Sequence, residues 1–160
     1  MSSSAGNSQV DAKNVRKGIM KGGIKEEFIH RQVVDYLRLQ YPGVIFRTDY
    51  SAGIKLTPGM ARKHHSLQEG RGYPDLFIAL PNNKGYHGLF LELKRPGARV
   101  RKRDGSIVAN EHIQEQDIYL KRLESVGYKA AFAVGFDEAK KEIDDYIKHS
   151  TYKKRPGDLF

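Results

Sequence analysis

Two short apolar runs dominate what this chain can fold into. The first is Gly72-Tyr73-Pro74-Asp75-Leu76-Phe77-Ile78-Ala79-Leu80 and the second is Gly88-Leu89-Phe90-Leu91-Glu92-Leu93-Lys94, with Pro81-Asn82-Asn83-Lys84-Gly85 between them. Runs of this length, rich in Leu, Ile and Phe and separated by turn formers, read as two strands joined in a hairpin. Successive side chains on a strand point to opposite faces. Glu92 and Lys94 therefore share a face with Phe90, while Leu89, Leu91 and Leu93 take the other. Pairing Leu80 with Leu89 sets Asp75 opposite Lys94 and diagonal to Glu92, with side chains roughly 5–8 Å apart. Two carboxylates and an ammonium then meet at one end of an apolar sheet. Unpaired buried charge is costly, so the triad needs a reason. A hard cation held by the carboxylates, with the lysine beside it, supplies one.

The chain of 160 residues suits one domain with a proper core. Its 28 Lys and Arg against 19 Asp and Glu leave a net charge of +9, which favours a polyanionic partner, nucleic acid first. A merely basic surface is the other reading of that charge. The absence of cysteine excludes disulfides and zinc-thiolate sites. No apolar run approaches the roughly 20 residues of a membrane span, and the start, Met1-Ser2-Ser3-Ser4-Ala5, has no apolar signal core. These features point to an intracellular, cytoplasmic protein.

Residues 1–22 are rich in Ser, Gly and Lys and read as a flexible basic arm. From Ile24 to Gln40, Ile29, Val33, Tyr36 and Leu37 recur at helical spacing, and Tyr41-Pro42-Gly43 ends the helix. Glu26 stands three residues before Ile29 and seven before Val33, on the apolar stripe. It either follows that stripe into a site or simply favours the positive helix N-terminus. Val44–Thr48 reads as a strand. Residues 49–72 read as a long loop carrying Lys55, Arg62, Lys63, His64, His65 and Arg71. Neighbouring side chains at i and i+1 face apart, so the two histidines make a poor metal pair, and a solvated, phosphate-facing loop is the better reading.

Beyond Lys94, Arg95-Pro96-Gly97-Ala98-Arg99-Val100-Arg101-Lys102-Arg103 concentrates positive charge, and Asp104-Gly105 suits a hairpin tip. Starting as it does at the charged triad, this run reads as a phosphate-backbone contact rather than only a solvated face. Asn110 can cap a helix that runs to Val126, with Gly127 as its stop. Ile113, Leu120 and Leu123 mark the buried stripe, and Gln116 lies on it. A buried amide there needs partners, structural or functional. Lys129–Val134 reads as a last strand. Asp137 reads as the cap of a final helix to Lys148, buried along Ala139, Ile143, Tyr146 and Ile147. The element order is helix, three strands, helix, strand, helix, giving a mixed sheet with helices on both faces.

Pro74-Asp75 followed seventeen residues later by Glu92-Leu93-Lys94 resembles the PD-(D/E)XK nuclease superfamily. Glu26 opening the first helix, Gly70-Arg71-Gly72-Tyr73-Pro74-Asp75-Leu76, Glu115-Gln116, Gly127-Tyr128 and Gly135-Phe136-Asp137-Glu138-Ala139 together resemble its VRR-NUC branch, in its small stand-alone phage and bacterial form. The resemblance covers residues 24–148 and departs from the minimal pattern in the basic insert at 95–109. It implies a restriction-endonuclease-like αβββαβ core, of the α/β (α+β) class, as a nuclease domain over 23–149 with a tail at 150–160. It also implies a nuclease dependent on Mg²⁺ or Mn²⁺. Asp75, Glu92 and the Leu93 carbonyl would ligate the metal. Lys94 would orient the attacking water or lower its pKa, and Glu26 would hold water or a second metal. Gln116 would position the lysine or the water. Lys55, Arg62, Lys63, Arg71, Arg95, Arg99, Arg101, Lys102 and Arg103 would hold DNA. Stand-alone members resemble Holliday-junction resolvases acting as homodimers, so branched or otherwise structured DNA is the expected substrate, inside a bacterial or phage-infected cell. A DNA-binding module without catalysis and an RNA-directed nuclease are the alternatives. The end, Gly157-Asp158-Leu159-Phe160, resembles the Leu-Phe end of sliding-clamp-binding peptides but lacks the usual upstream glutamine.

Overall fold

A computed structural model describes residues 25–49, 57–67 and 70–154. The basic arm, Lys55 and the Leu159-Phe160 end lie outside the described residues. The elements are α1 (Glu26–Gln40), β1 (Phe46–Thr48), α2 (Pro58–Ser66), β2 (Leu76–Ile78), β3 (Leu89–Lys94), α3 (Glu111–Ser125), β4 (Lys129–Val134) and α4 (Gly135–Lys148). The sheet runs β1-β2-β3-β4, antiparallel except for the parallel pair β3 and β4. It is a mixed sheet in an α+β fold, in the order read from the sequence apart from the added α2. Among the described residues no helix is long and apolar enough to cross a membrane.

All six residues of β3 are buried because helices cover both faces of the sheet. Leu76, Ile78, Leu89, Leu91 and Leu93 pack with Ile29, Val33 and Leu37 of α1 and with Ala139, Ile143, Tyr146 and Ile147 of α4. The opposite face carries Phe90, Leu120 and Ala130, with Phe77, Leu123, Tyr128 and Phe132 against them. Each fully buried leucine contributes about 1.5–3 kcal/mol. A polar clasp ties α1 to α4: the Tyr36 and Tyr41 hydroxyls each donate to Asp144 Oδ1 at 2.6 Å, and Lys140 Nζ donates to Oδ2 at 2.6 Å. At the start of α3 the Asn110 side chain accepts from the Ile113 amide at 3.1 Å, the cap read from the sequence.

Four expectations need correction. The segment read as one long loop contains α2, which begins on Thr57-Pro58. The Thr57 hydroxyl accepts from the Met60 amide at 3.3 Å, and proline suits the first helical position. This helix is mostly exposed and has no apolar stripe to find. β1 begins at Phe46 rather than Val44. α4 starts at Gly135 with Val134 as its uncapped N-terminal flank, and Asp137 is not the cap; Glu138 Oε2 instead accepts from the Val134 amide at 2.8 Å.

The fourth correction is the hairpin register. Leu89 pairs with Ile78 and Leu91 with Leu76, not Leu89 with Leu80. Leu80 is drawn off the ladder, since its carbonyl accepts from the Tyr146 hydroxyl at 2.7 Å. Asn82 closes its own turn, its Oδ1 accepting from the Lys84 amide at 3.1 Å and the Tyr86 amide at 3.3 Å. The shift is two residues, so no side chain changes face. It moves Asp75 from a place opposite Lys94 to one opposite Glu92, a position before the Leu76–Leu91 pair.

Candidate metal centre

The site lies where β2 begins and β3 ends. Glu92 and Lys94 follow Phe90 on the sheet face that α3 covers, and α1 reaches the same end with its first two turns. Glu26, Asp75 and Glu92 each offer one carboxylate oxygen, and these lie within 4.8 Å of one another. Lys94 Nζ donates to Glu92 Oε1 at 2.7 Å and to Glu26 Oε1 at 3.4 Å. Three carboxylates therefore face one ammonium. Glu92 is 2% exposed and Lys94 8%, while the Glu26 side chain keeps 42% of its surface and forms the open side.

Gln116 binds the cluster from α3. Its Nε2 donates to Glu92 Oε1 and lies 3.2 Å from His112 Nε2, one turn earlier. Gly72 lets the chain before Asp75 run this close to α3. Its φ is +89°, and a Cβ there would sit 3.3 Å from the Gln116 backbone. A glycine meets both demands without strain.

The backbone of β3 is shaped by Pro74-Asp75. The Leu93 amide donates to Asp75 Oδ2 at 2.8 Å, so it points toward the β2 side. Continuing the Leu76–Leu91 register by two residues sets Pro74 against Leu93. Proline has no N–H to give the Leu93 carbonyl. The ladder thus ends at this point with an aspartate on the Leu93 amide and no β2 backbone donor for its carbonyl.

Electrostatics follow from the crowding. Burial, then the charge of Asp75, pushes the Glu92 carboxyl up to about 8 against the pull of Lys94. Burial disfavours the charged form of Lys94, but Glu92, Glu26 and Asp75 outweigh it and raise its pKa, so it stays an ammonium. Glu92 Oε2 and Gln116 Oε1 are buried with no hydrogen-bond partner among the described residues. Orphaned buried oxygens are costly. An all-oxygen donor set with an orphaned carboxylate oxygen fits a hard divalent cation.

Every member of the expected set Asp75, Glu92, Lys94, Glu26 and Gln116 is brought to this end of the sheet, with Leu93 between two of them. Among the expected DNA-binding residues, Arg95 directly follows Lys94, and Arg99, Arg101, Lys102 and Arg103 are carried on the insert, where Arg101, Lys102 and Arg103 are exposed. The Arg101–Ile107 bridge makes the insert a small hairpin with Asp104-Gly105 at its tip. Arg62 and Lys63 are exposed on α2, and Arg71 is exposed just before Gly72.

Two histidines were not singled out by sequence reasoning. His30 is buried, with Nε2 3.6 Å from Asp75 Oδ2 and Nδ1 without a hydrogen-bond partner among the described residues. His112 touches Gln116. Each stands four residues from a site residue on the same helix, Glu26 or Gln116, and that spacing was the available sign.

No protein-family model matches the sequence, and neither does any curated protein. Among solved structures, a "VRR_NUC domain protein" is similar, with a TM-score of 0.55 and 23% sequence identity, over 82% of this chain and 95% of that one. The chain thus has the fold of a VRR_NUC domain protein.

Proposed function

We propose that the chain is a divalent-metal-dependent DNA endonuclease that hydrolyses phosphodiester bonds, with branched or otherwise structured DNA as its substrate. The observation that carries this reading is the convergence of Glu26, Asp75 and Glu92 within 4.8 Å around a buried lysine. The fold shared with a VRR_NUC domain protein and the net charge of +9 support it.

Asp75, Glu92 and the Leu93 carbonyl would hold Mg²⁺ or Mn²⁺, with Glu26 completing the open side. The bound ion would neutralise the phosphate and acidify water. The chain's own residues do the rest. The Leu93 amide fixes the Asp75 carboxylate, and Gln116 fixes Glu92. Lys94, held as an ammonium by its carboxylates, donates to the attacking water or a phosphate oxygen and stabilises the charge of the pentavalent transition state. Gln116 Oε1, buried and without a hydrogen-bond partner among the described residues, can accept a hydrogen from that water. The cations Arg62, Lys63, Arg71, Arg95, Arg99, Arg101, Lys102 and Arg103, with Lys55 outside the described residues, would neutralise backbone phosphates. Two symmetric nicks in a junction need two sites related by a two-fold axis, so a homodimer belongs to this reading. Its place of action is the cytoplasm of a bacterial or phage-infected cell.

The test is cleavage of labelled four-way junction, flap and plain duplex with Mg²⁺, Mn²⁺ or EDTA. Cleavage of the structured substrates is expected with metal only, and Lys94→Ala is expected to lower it roughly 100-fold or more. Cleavage that persists in EDTA, or survives Lys94→Ala, refutes the assignment. Retention of the junction on a gel without cleavage under any metal would mark a binding module, and preference for an RNA version of the same substrate an RNA-directed enzyme.

A further inference from the structure

Beside the carboxylates lies a cluster that neither the metal centre nor the basic hairpin uses. Tyr73, two residues before Asp75, keeps 45% of its surface exposed. Its ring meets Phe90 with centroids 5.7 Å apart at 89°, and Tyr119 of α3 at 5.7 Å and 69°. Both contacts are edge-to-face. The support beneath is rigid: Phe90 stacks on Phe77 at 4.4 Å and meets Tyr128 at 5.2 Å. Arg122 lies over Tyr119, with its guanidinium carbon 5.4 Å from the ring centroid. On the other side, Arg47 and Asp49 act with opposite sign on the Tyr73 hydroxyl, whose pKa is raised chiefly by burial. Arg47 is exposed on β1 opposite Phe77.

The position matters as much as the chemistry. Phe90 precedes Glu92 by two residues on the same sheet face, a separation of about 7 Å. Tyr119 follows Gln116 by three residues on α3, nearly one turn. The aromatic pair therefore borders the carboxylates on both the strand and the helix side. Sequence-tolerant binding of unpaired bases uses aromatic rings with adjacent arginines. A base inside an intact duplex presents only its edges to a groove and has no face to give.

We propose that Tyr73 and Tyr119, flanked by Arg47 and Arg122, form a stacking seat for one unpaired DNA base next to the phosphate at the carboxylate cluster, a reading that rests on the nuclease function above. The seat makes recognition of an unpaired nucleotide part of the site itself.

The experiment measures affinity of the full chain in EDTA, by fluorescence anisotropy, for a fluorescein-labelled 5′-flap DNA and a fully paired duplex of the same sequence. Tyr73→Leu and Tyr119→Leu keep apolar volume but lose the ring, and each is expected to weaken flap binding by roughly 5- to 100-fold. Duplex binding is expected to hold within about twofold, and Tyr73→Phe is expected to retain flap affinity, since stacking needs the ring and not the hydroxyl. A 2-aminopurine in the flap next to the branch is expected to change its fluorescence on binding wild type and not Tyr73→Leu. Equal losses on flap and duplex, no loss on either, or a ring requirement seen only with a ribonucleotide flap would overturn the seat. If wild type cuts the flap in Mg²⁺ or Mn²⁺ while both leucine variants bind as it does, the seat falls and the nuclease reading stands. If wild type binds neither DNA, both fall.

Discussion

Glu92→Gln is expected to stabilise the metal-free protein while abolishing the proposed cleavage. Glu92 is deeply buried, and its carboxyl is pushed from an ordinary 4.5 up to about 8. A folded-state pKa raised above the unfolded value penalises folding once the unfolded carboxyl ionises. The penalty is absent below about pH 4.5, grows as pH rises, and is complete above about pH 8. At pH 7 roughly 2.5 units of that window have been crossed, at about 1.4 kcal/mol each, a ceiling of about 3.5 kcal/mol. The substitution also weakens the 2.7 Å ion pair to Lys94, which takes part of the gain back. Lys94 retains Glu26 at 3.4 Å, so its charge is not left alone. The net gain is about 1–3 kcal/mol, which for a chain of this size raises Tm by roughly 2–10 °C. The assay is thermal unfolding of wild type and variant in EDTA at a series of pH values from 4.5 to 8. The Tm difference is expected to be near zero at the acid end and to widen toward neutral pH. Adding Mg²⁺ or Mn²⁺ is expected to raise the wild-type Tm and leave the variant nearly unmoved, because a ligand that binds the native state stabilises it. A variant less stable than wild type in EDTA at pH 7 to 8 would refute the electrostatic account of the cluster.

Other positions separate site from scaffold. Asn110→Ala removes the cap of α3 and is expected to cost about 1 kcal/mol, read as a lower Tm, with cleavage unchanged below the new transition. Gly72→Ala meets both a left-handed φ and the Gln116 backbone; a destabilisation of about 1–3 kcal/mol is expected, with cleavage falling well below what that destabilisation explains. Changing Arg99, Arg101, Lys102 and Arg103 together to Ser is expected to weaken binding of every DNA alike and to flatten the dependence of log Kd on log salt by about 0.9 for each phosphate no longer neutralised; an unchanged slope would take the insert off the DNA.

Much of this arrangement is legible in the sequence because two periodicities act independently. The strand period places Glu92 and Lys94 on one face, and the helical period places Glu26 and Gln116 on buried stripes. The elements so found meet at one end of the sheet. The hairpin register is not legible in the same way. It depends on Tyr146, from a distant helix, holding the Leu80 carbonyl and on the Asn82 side chain closing its own turn, and neither contact follows from the alternation of the strands. α2 escapes for the opposite reason: it packs little apolar surface, and only Thr57-Pro58 marks it. His30 and His112 are marked in the sequence only by their four-residue spacing from Glu26 and Gln116, a sign that says which face they share and not what they touch. Their relevance appears only when Asp75 and Gln116 are in place beside them.

The interruption of the ladder at Pro74 has a spectroscopic consequence. In the middle of a sheet the Leu93 amide is held by a carboxylate and not by a backbone carbonyl. Its proton therefore answers to a side chain that the rest of the strand does not feel. A cation drawing on Asp75, or an asparagine in its place, would appear as a displaced peak and altered solvent exchange at that one amide. The break in the sheet makes Leu93 a built-in reporter of the site, readable with no substrate present and no label added at the carboxylates.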